Sequence, residues 1–162
     1  MKTTKTMRHT AMTAAAGVLA LAGTVTAAGT AQADTTPPQN APRVTVDAPM
    51  TLLPGQSIDT GSTRLTLQGD GNLVTYKTNG QYTPVWSAPG SLGCGARAVL
   101  QTDGNFVVYG GDNRVCWNSG TNMSYPLSRV TLEVWGYGGL NIYLYGQGRS
   151  ETTAVIASTD PY

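Results

Sequence analysis

The sequence predicts an all-β domain built from three similar units, on three observations. The stretch RLTLQGDGNLVTYK at residue 64 recurs as RAVLQTDGNFVVYG at residue 97, an offset of 33 residues. Apolar and polar residues alternate with a period of two in both copies, which is typical of half-buried strands. No apolar stripe with the period of an amphipathic helix appears after residue 33, so helices are not expected in the folded part.

A third, weaker copy follows the first two. RVTLEV at residue 129 matches their opening, and NIYLYG at residue 141 matches NFVVYG at residue 105. Four extra residues around WGYGG separate these halves, and we expect them to lengthen the turn. Trp86 and Trp117 follow the first two copies, whereas Ile156 takes that place in the third. Because each unit is too short to bury a core alone, the three must share one.

The first 33 residues have the pattern of a secretory signal peptide. A basic start with Lys2, Lys5 and Arg8 precedes the apolar run AAAGVLALAG, and AQAD predicts cleavage after Ala33. No later apolar stretch is long enough to span a bilayer. We therefore expect a secreted, extracellular protein from a bacterium.

The predicted mature chain, residues 34–162, has the length of one domain. Loss of three basic residues leaves seven against nine acidic ones, so its net charge is near −2. This charge argues against a nucleic-acid surface. His9, the only histidine, is removed with the signal, and we expect neither a metal site nor a cofactor.

The mature chain divides into a leader and a domain. Residues 34–49 contain four prolines and predict an extended leader, followed by the domain at 50–162. MTLLPGQSI at residue 50 is interpreted as its first strand, with Pro54 and Gly55 making a turn. Cys94 and Cys116 are the two cysteines. An even count in an oxidising compartment favours one disulfide over two free thiols.

The Asp-Gly dipeptides at residues 70 and 103 predict two β-hairpins. An even loop would turn Gln101 toward the core, whereas an odd loop of three or five residues leaves it outside, opposite Val107. Ala98, Leu100, Phe106 and Val108 then line the inner face. An odd loop also suits glycine at a positive φ.

Each hairpin then presents an amide, a carboxylate, a second amide, an apolar patch and a phenol on its outer face. A sugar has a complementary surface of clustered hydroxyls and a weakly apolar C–H face. A carboxylate accepts two hydroxyl protons in strong, charge-assisted bonds, and an amide donates and accepts at once. The first set is Gln68, Asp70, Asn72, Val74 and Tyr76, and the second is Gln101, Asp103, Asn105, Val107 and Tyr109.

This tandem pattern, Q-x-D-x-N-x-V-x-Y, resembles that of the bulb-type (monocot) mannose-binding lectins over roughly residues 50–160. The resemblance implies a β-prism II fold, with three four-stranded antiparallel sheets around a pseudo-threefold axis. It also implies that Asp and Asn hold the axial 2-hydroxyl of mannose, Gln the 3-hydroxyl and Tyr the 4-hydroxyl, while Val contacts the ring carbons. Trp86 and Trp117 match the core tryptophans of the family, and we interpret them as packing residues.

The third unit departs from this pattern. Glu133 stands for Gln and Tyr143 for Val, Asn141 and Tyr145 are in place, and no Asp occupies the bend. We expect this third site to be dead or altered. Trp135 and Tyr137, taken as exposed, either form a separate aromatic sugar contact or pack under the long turn.

The leading interpretation is therefore a non-catalytic lectin whose partners are mannose-containing glycans or a cell-surface polysaccharide. Exchange of the C-terminal segment AVIASTDPY would give a homodimer and more sites. Two alternatives keep the fold: a lectin-like bacteriocin, and a structural or protein-binding module with vestigial sites. A glycosidase is disfavoured, because Asp70 and Asp103 lie in different units and should be too far apart to act on one bond.

Overall fold

The computed structural model describes residues 40–146 and 152–157 of the chain. The predicted signal peptide lies outside the described residues. Every regular element within these ranges is a β-strand. Among the described residues, no helix has the length and hydropathy needed to cross a bilayer.

Twelve strands form three four-stranded antiparallel sheets, which confirms the predicted β-prism II architecture. The first sheet contains β3 (Ser57–Asp59), β4 (Thr63–Leu67), β5 (Leu73–Lys77) and β6 (Thr83–Ser87). The second contains β2 (Met50–Leu52), β7 (Arg97–Leu100), β8 (Phe106–Tyr109) and β9 (Val115–Asn118). The third contains β1 (Arg43–Asp47), β10 (Leu127–Trp135), β11 (Leu140–Gly146) and β12 (Thr152–Ala157).

Each repeated unit supplies three consecutive strands, and one strand from the N-terminal part completes each sheet. The prediction of a single first strand in MTLLPGQSI is wrong. β2 pairs with β7 and β3 pairs with β4, because the turn at Pro54 and Gly55, where φ is +85°, sends the chain into a different sheet. β1 lies within the predicted leader and pairs with β10 along its whole length.

The three sheets share one core, as the repeat predicts. Buried leucines, valines and isoleucines from all three sheets form one cluster that includes Phe106. Trp86, Trp117 and Ile156 pack against this core from corresponding strands. The two tryptophan rings meet edge to face with centroids 5.5 Å apart, which agrees with a packing role. Complete burial of large apolar side chains is the main stabilising contribution to such a domain.

The β4–β5 and β7–β8 hairpins have three-residue loops, so the prediction of an odd loop is confirmed. The Gln68 N–H donates to the Asn72 carbonyl, and the Gln101 N–H donates to the Asn105 carbonyl. Gln101 therefore lies opposite Asn105, and the alternative that pairs it with Val107 is wrong. The glycines of both loops, Gly71 and Gly104, have positive φ.

The third hairpin is longer, but not in its turn. Val134 pairs with Leu140, and the Trp135 N–H donates to the Gly139 carbonyl at 2.9 Å. The loop therefore again spans three residues, and the expected lengthening of the turn is wrong. The four extra residues extend the two strands, because continued pairing satisfies their backbone groups.

The predicted disulfide between Cys94 and Cys116 is present. Cys94 lies in the loop between β6 and β7, and Cys116 lies in β9. In the same loop, the Gly93 N–H donates to the Asp70 carbonyl at 2.7 Å. The disulfide therefore anchors a loop that supports the bend of the first hairpin.

Candidate functional site

The outer faces of the first two hairpins carry the predicted polar clusters. Strand alternation places the cluster residues away from the core, since Leu65, Leu67, Leu100 and Phe106 on the opposite face are fully buried. The glutamine, asparagine and tyrosine of each cluster are half-buried, and the aspartate at each bend is exposed. All ten predicted residues are thus grouped into two five-residue clusters, one on each hairpin.

Within each cluster the glutamine bonds the tyrosine directly. Gln68 Nε2 donates to the Tyr76 hydroxyl at 3.0 Å, and Gln101 Nε2 donates to the Tyr109 hydroxyl at 2.9 Å. The bond assigns a donor role to the side-chain nitrogen. It leaves the Gln Oε1 as an acceptor and the phenolic O–H as a donor for a ligand.

A serine orients the asparagine in each cluster, and the sequence pattern did not reveal it. Ser91 is buried and Ser119 is half-buried. Ser91 Oγ lies 2.9 Å from Asn72 Oδ1, and Ser119 Oγ lies 3.0 Å from Asn105 Oδ1. Because Oδ1 is engaged as an acceptor, the Nδ2 amide is the group that each asparagine offers outward. The serines follow Trp86 and Trp117 by five and two residues, so no common spacing identifies them.

The aspartates shape the bends. Asp70 Oδ1 accepts the Asn72 N–H at 3.0 Å, and Asp103 Oδ1 accepts the Asn105 N–H at 2.9 Å. These bonds constrain each carboxylate to the end of its hairpin. The second oxygen, Oδ2, accepts no hydrogen bond from the described part of the chain. Each cluster therefore offers a charged acceptor, a neutral acceptor and two donors, a set that fits a polyhydroxylated ligand.

The apolar patch is smaller than the sequence suggests. Val74 and Val107 are each only 2% exposed. They lie opposite Thr66 and Val99 on the adjoining strands. A ligand would therefore contact only the outermost methyl surface of each valine, and the polar atoms around it dominate the cluster.

The predicted residues of the third site all lie on the third hairpin, but Glu133 is engaged by residues of β1. Glu133 lies opposite Asn141. The Glu133 carboxylate accepts a hydrogen bond from Thr45 Oγ1 at 3.3 Å and lies 3.6 Å from Arg43 Nε. Both partners come from β1. Asn141 is 8% exposed, so this hairpin presents less accessible polar surface than the other two.

The third hairpin is rich in aromatic residues. Tyr143 and Tyr145 lie on β11 opposite Thr131 and Arg129. Trp135, expected to be exposed, is buried, with only 7% of its surface exposed. The Tyr137 ring lies 5.6 Å from the Trp135 ring, and the Arg43 guanidinium lies 4.9 Å from it.

The same packing changes the acidity of Tyr137. Burial raises the pKa of the Tyr137 hydroxyl, and the neighbouring Tyr143 and Glu133 raise it further. A hydrogen bond with Asn141 lowers this pKa by a smaller amount. The burial of Trp135 agrees with one of the two alternatives for this aromatic pair, in which it packs under the turn.

No group of three or more histidine, cysteine, aspartate or glutamate side chains that could hold a metal ion occurs within the described ranges. The bend carboxylates are held by backbone amides, and the third-hairpin carboxylate by an arginine and a threonine.

Comparison with known proteins identifies relatives in sequence. The mannose-specific lectin of Aloe arborescens is 42% identical over 77 residues, which cover 44% of this chain and 68% of that lectin. Curculin-2 of Molineria latifolia is 37% identical over 66 residues, and the match covers 40% of either chain. No family model matches the sequence.

Solved structures agree. A lectin from Allium sativum superposes with a TM-score of 0.55 and 30% identity, covering 65% of this chain and 98% of the lectin. A monomeric monocot mannose-binding lectin from Gastrodia elata gives a TM-score of 0.55 and 28% identity. The match covers 70% of this chain and 93% of that lectin. These relatives are lectins, which confirms that the chain is a carbohydrate-binding protein and not an enzyme. The chain therefore belongs to the family of bulb-type, or monocot, mannose-binding lectins.

Proposed function

We propose that the chain is a secreted lectin that binds mannose or mannose-like sugars at its first two hairpins. The observation that carries this proposal is the pair of clusters with the same oriented set of donors and acceptors. The mannose-specific lectin of Aloe arborescens, which shares the family, supports the choice of sugar. The third hairpin does not take part, because Arg43 lies beside Glu133 and over the Trp135 ring.

A shallow cluster of this kind binds weakly on its own. A dissociation constant near 1 mM corresponds to about −4 kcal/mol. Two sites on one chain raise the effective affinity for a glycan or cell surface that presents several sugars. A homodimer would double the number of sites again, and size-exclusion chromatography with light scattering tests that assembly.

The test begins with expression of the full-length chain and recovery of the protein from the medium. An N-terminus at Asp34 would support secretion, whereas retention of the whole chain in the cell would contradict it. Mannose and glucose are then titrated while amide shifts are followed by NMR. We expect shifts confined to residues 68–76 and 101–109, larger for mannose.

Matched variants separate the two sites. Asp70→Asn and Asp103→Asn each remove one charged acceptor, so each should abolish the shifts of its own hairpin only. Asp112→Asn is the control, because Asp112 is also exposed and lies in a turn, 3.9 Å from Arg114 and outside both clusters. Absence of a response to any hexose would refute the sugar-binding proposal and favour a structural module.

A further inference from the structure

An exposed aromatic ring adjoins the first cluster and has no role in the function proposed above. Tyr82 is 61% exposed. It lies in the loop between β5 and β6 and contacts Tyr76 edge to face, with ring centroids 6.2 Å apart. It therefore continues the binding face beyond the tyrosine of the cluster, on the side away from the bend.

The Tyr82 ring is supported from within its own sheet. The Arg64 guanidinium lies 5.5 Å from the ring centroid. Arg64 is itself held by Asp59, with Nε and the terminal nitrogen at 2.8 and 2.6 Å from Oδ2. Asp59 in turn accepts the Gly61 N–H at 2.7 Å. This series of contacts restrains an exposed side chain, so less conformational entropy is lost when a ligand stacks on it.

The second hairpin lacks this feature. The Gly110 N–H donates to the Arg114 carbonyl, which leaves a three-residue loop of Gly, Asp and Asn. The corresponding loop of the first sheet has five residues, because Lys77 pairs with Thr83. The two extra residues account for the change in offset from 33 at the clusters to 31 at the tryptophans.

The arginine that corresponds to Arg64 also behaves differently in the second sheet. Arg97 lies over the ring of Tyr109, 4.7 Å from its centroid. It donates to Asn113 Oδ1 at 2.8 Å. The far end of the second cluster is therefore covered by a cation, where the first cluster continues into an aromatic ring.

We propose that Tyr82 is a contact for a second sugar, so that the first hairpin binds a di- or oligosaccharide and the second binds a single terminal sugar. The inference rests on the proposed function, since the first sugar occupies the Gln68–Tyr76 cluster. A sugar next to the one that contacts Tyr76 lies over the Tyr82 ring. The weakly apolar C–H face of a pyranose packs on an aromatic face, as other apolar groups do.

The experiment compares methyl α-mannoside with methyl α-mannobioside by calorimetry and NMR. Asp103→Asn isolates the first site, and Asp70→Asn isolates the second. With the first site isolated, the disaccharide should bind about three- to tenfold tighter than the monosaccharide, the range for one aromatic contact. With the second site isolated, the two ligands should bind with similar affinity.

Tyr82→Ala and Tyr82→Phe, each made in the Asp103→Asn background, assign the gain to the ring. We expect the disaccharide advantage to fall to near one in Tyr82→Ala and to persist in Tyr82→Phe, which keeps the ring. Amide spectra report whether the variants remain folded, and the exposure of Tyr82 makes unfolding unexpected.

The outcomes separate the two proposals. Binding of the monosaccharide with an unchanged disaccharide advantage in Tyr82→Ala overturns the second-sugar contact and leaves the proposed function intact. An equal disaccharide advantage at both hairpins also overturns it. Failure of the monosaccharide to bind either hairpin overturns the proposed function and this inference together.

Discussion

Substitution of Ser91 should weaken sugar binding at the first hairpin without altering a residue expected to touch the sugar. Its side chain is fully buried. Its Oγ accepts the Leu73 N–H at 3.1 Å and lies 2.9 Å from Asn72 Oδ1 and 2.8 Å from the Ala88 carbonyl. The hydroxyl has one proton, so it donates to one of these two oxygens at a time.

Ser91→Ala removes these bonds together. The buried Leu73 N–H then lacks its side-chain acceptor, which costs about 1–3 kcal/mol of the free energy of unfolding. The Asn72 amide also loses the bond that orients it. A hydrogen bond contributes about 0.5–1.5 kcal/mol, so we expect the first site to bind mannose about three- to tenfold more weakly.

Ser119→Ala is the matched control in the second hairpin. There Asn105 Oδ1 also accepts the Gly120 N–H at 3.1 Å, and this second bond preserves the orientation. We therefore expect a smaller loss of affinity at the second site, about twofold. Urea unfolding measures stability, and the Asn side-chain amide shifts measure the affinity of each site.

A Ser91→Ala variant that is destabilised but binds mannose at the first hairpin with unchanged affinity would contradict the proposed role of the hydroxyl. An equal loss of affinity at both hairpins would also contradict it, since the hydroxyl would then act through the fold and not through Asn72.

Three further predictions concern the scaffold. Gly71→Ala should destabilise the domain by about 2–5 kcal/mol, because its φ is +83° and its Cβ would lie 2.5 Å from a backbone oxygen, whereas Gly80→Ala meets nothing and should cost about 1–2 kcal/mol in urea unfolding. Replacing Cys94 and Cys116 by serine should lower stability by about 3 kcal/mol, from the 22-residue separation, and calorimetry should show weaker sugar binding at the first hairpin only. A backbone N–H and then an arginine hold the pKa of the Asp59 carboxyl below its usual value of 3.8. Its contribution to stability is therefore present above that pH and lost as pH falls through the lower folded pKa, and a normal midpoint in NMR titration would contradict this.

Much of the fold and both clusters could be predicted because the information is periodic and local. A period of two assigns each residue to one face of a strand. The Asp-Gly bends then bring residues eight positions apart, such as Gln68 and Tyr76, to one face, where their side chains meet. Two copies with the same five residue types made the clusters visible in the sequence alone.

The remaining features depend on contacts between distant parts of the chain. Ser91 and Ser119 reach equivalent asparagines from loops of different length, so no shared spacing marks them. Glu133 is paired by residues of β1, which lies in the predicted leader. The burial of Trp135 likewise required the extended β10–β11 hairpin and the Arg43 side chain.

The amino-acid sequence by itself therefore determined the repeat, the hairpin faces and the residues of each cluster, since alternation and turn chemistry act over a few neighbouring residues. Only the tertiary structure decided which polar atoms remain available to a ligand. That choice depends on hydrogen bonds and packing between strands that lie far apart in sequence, as at Asn72, Val74 and Tyr82.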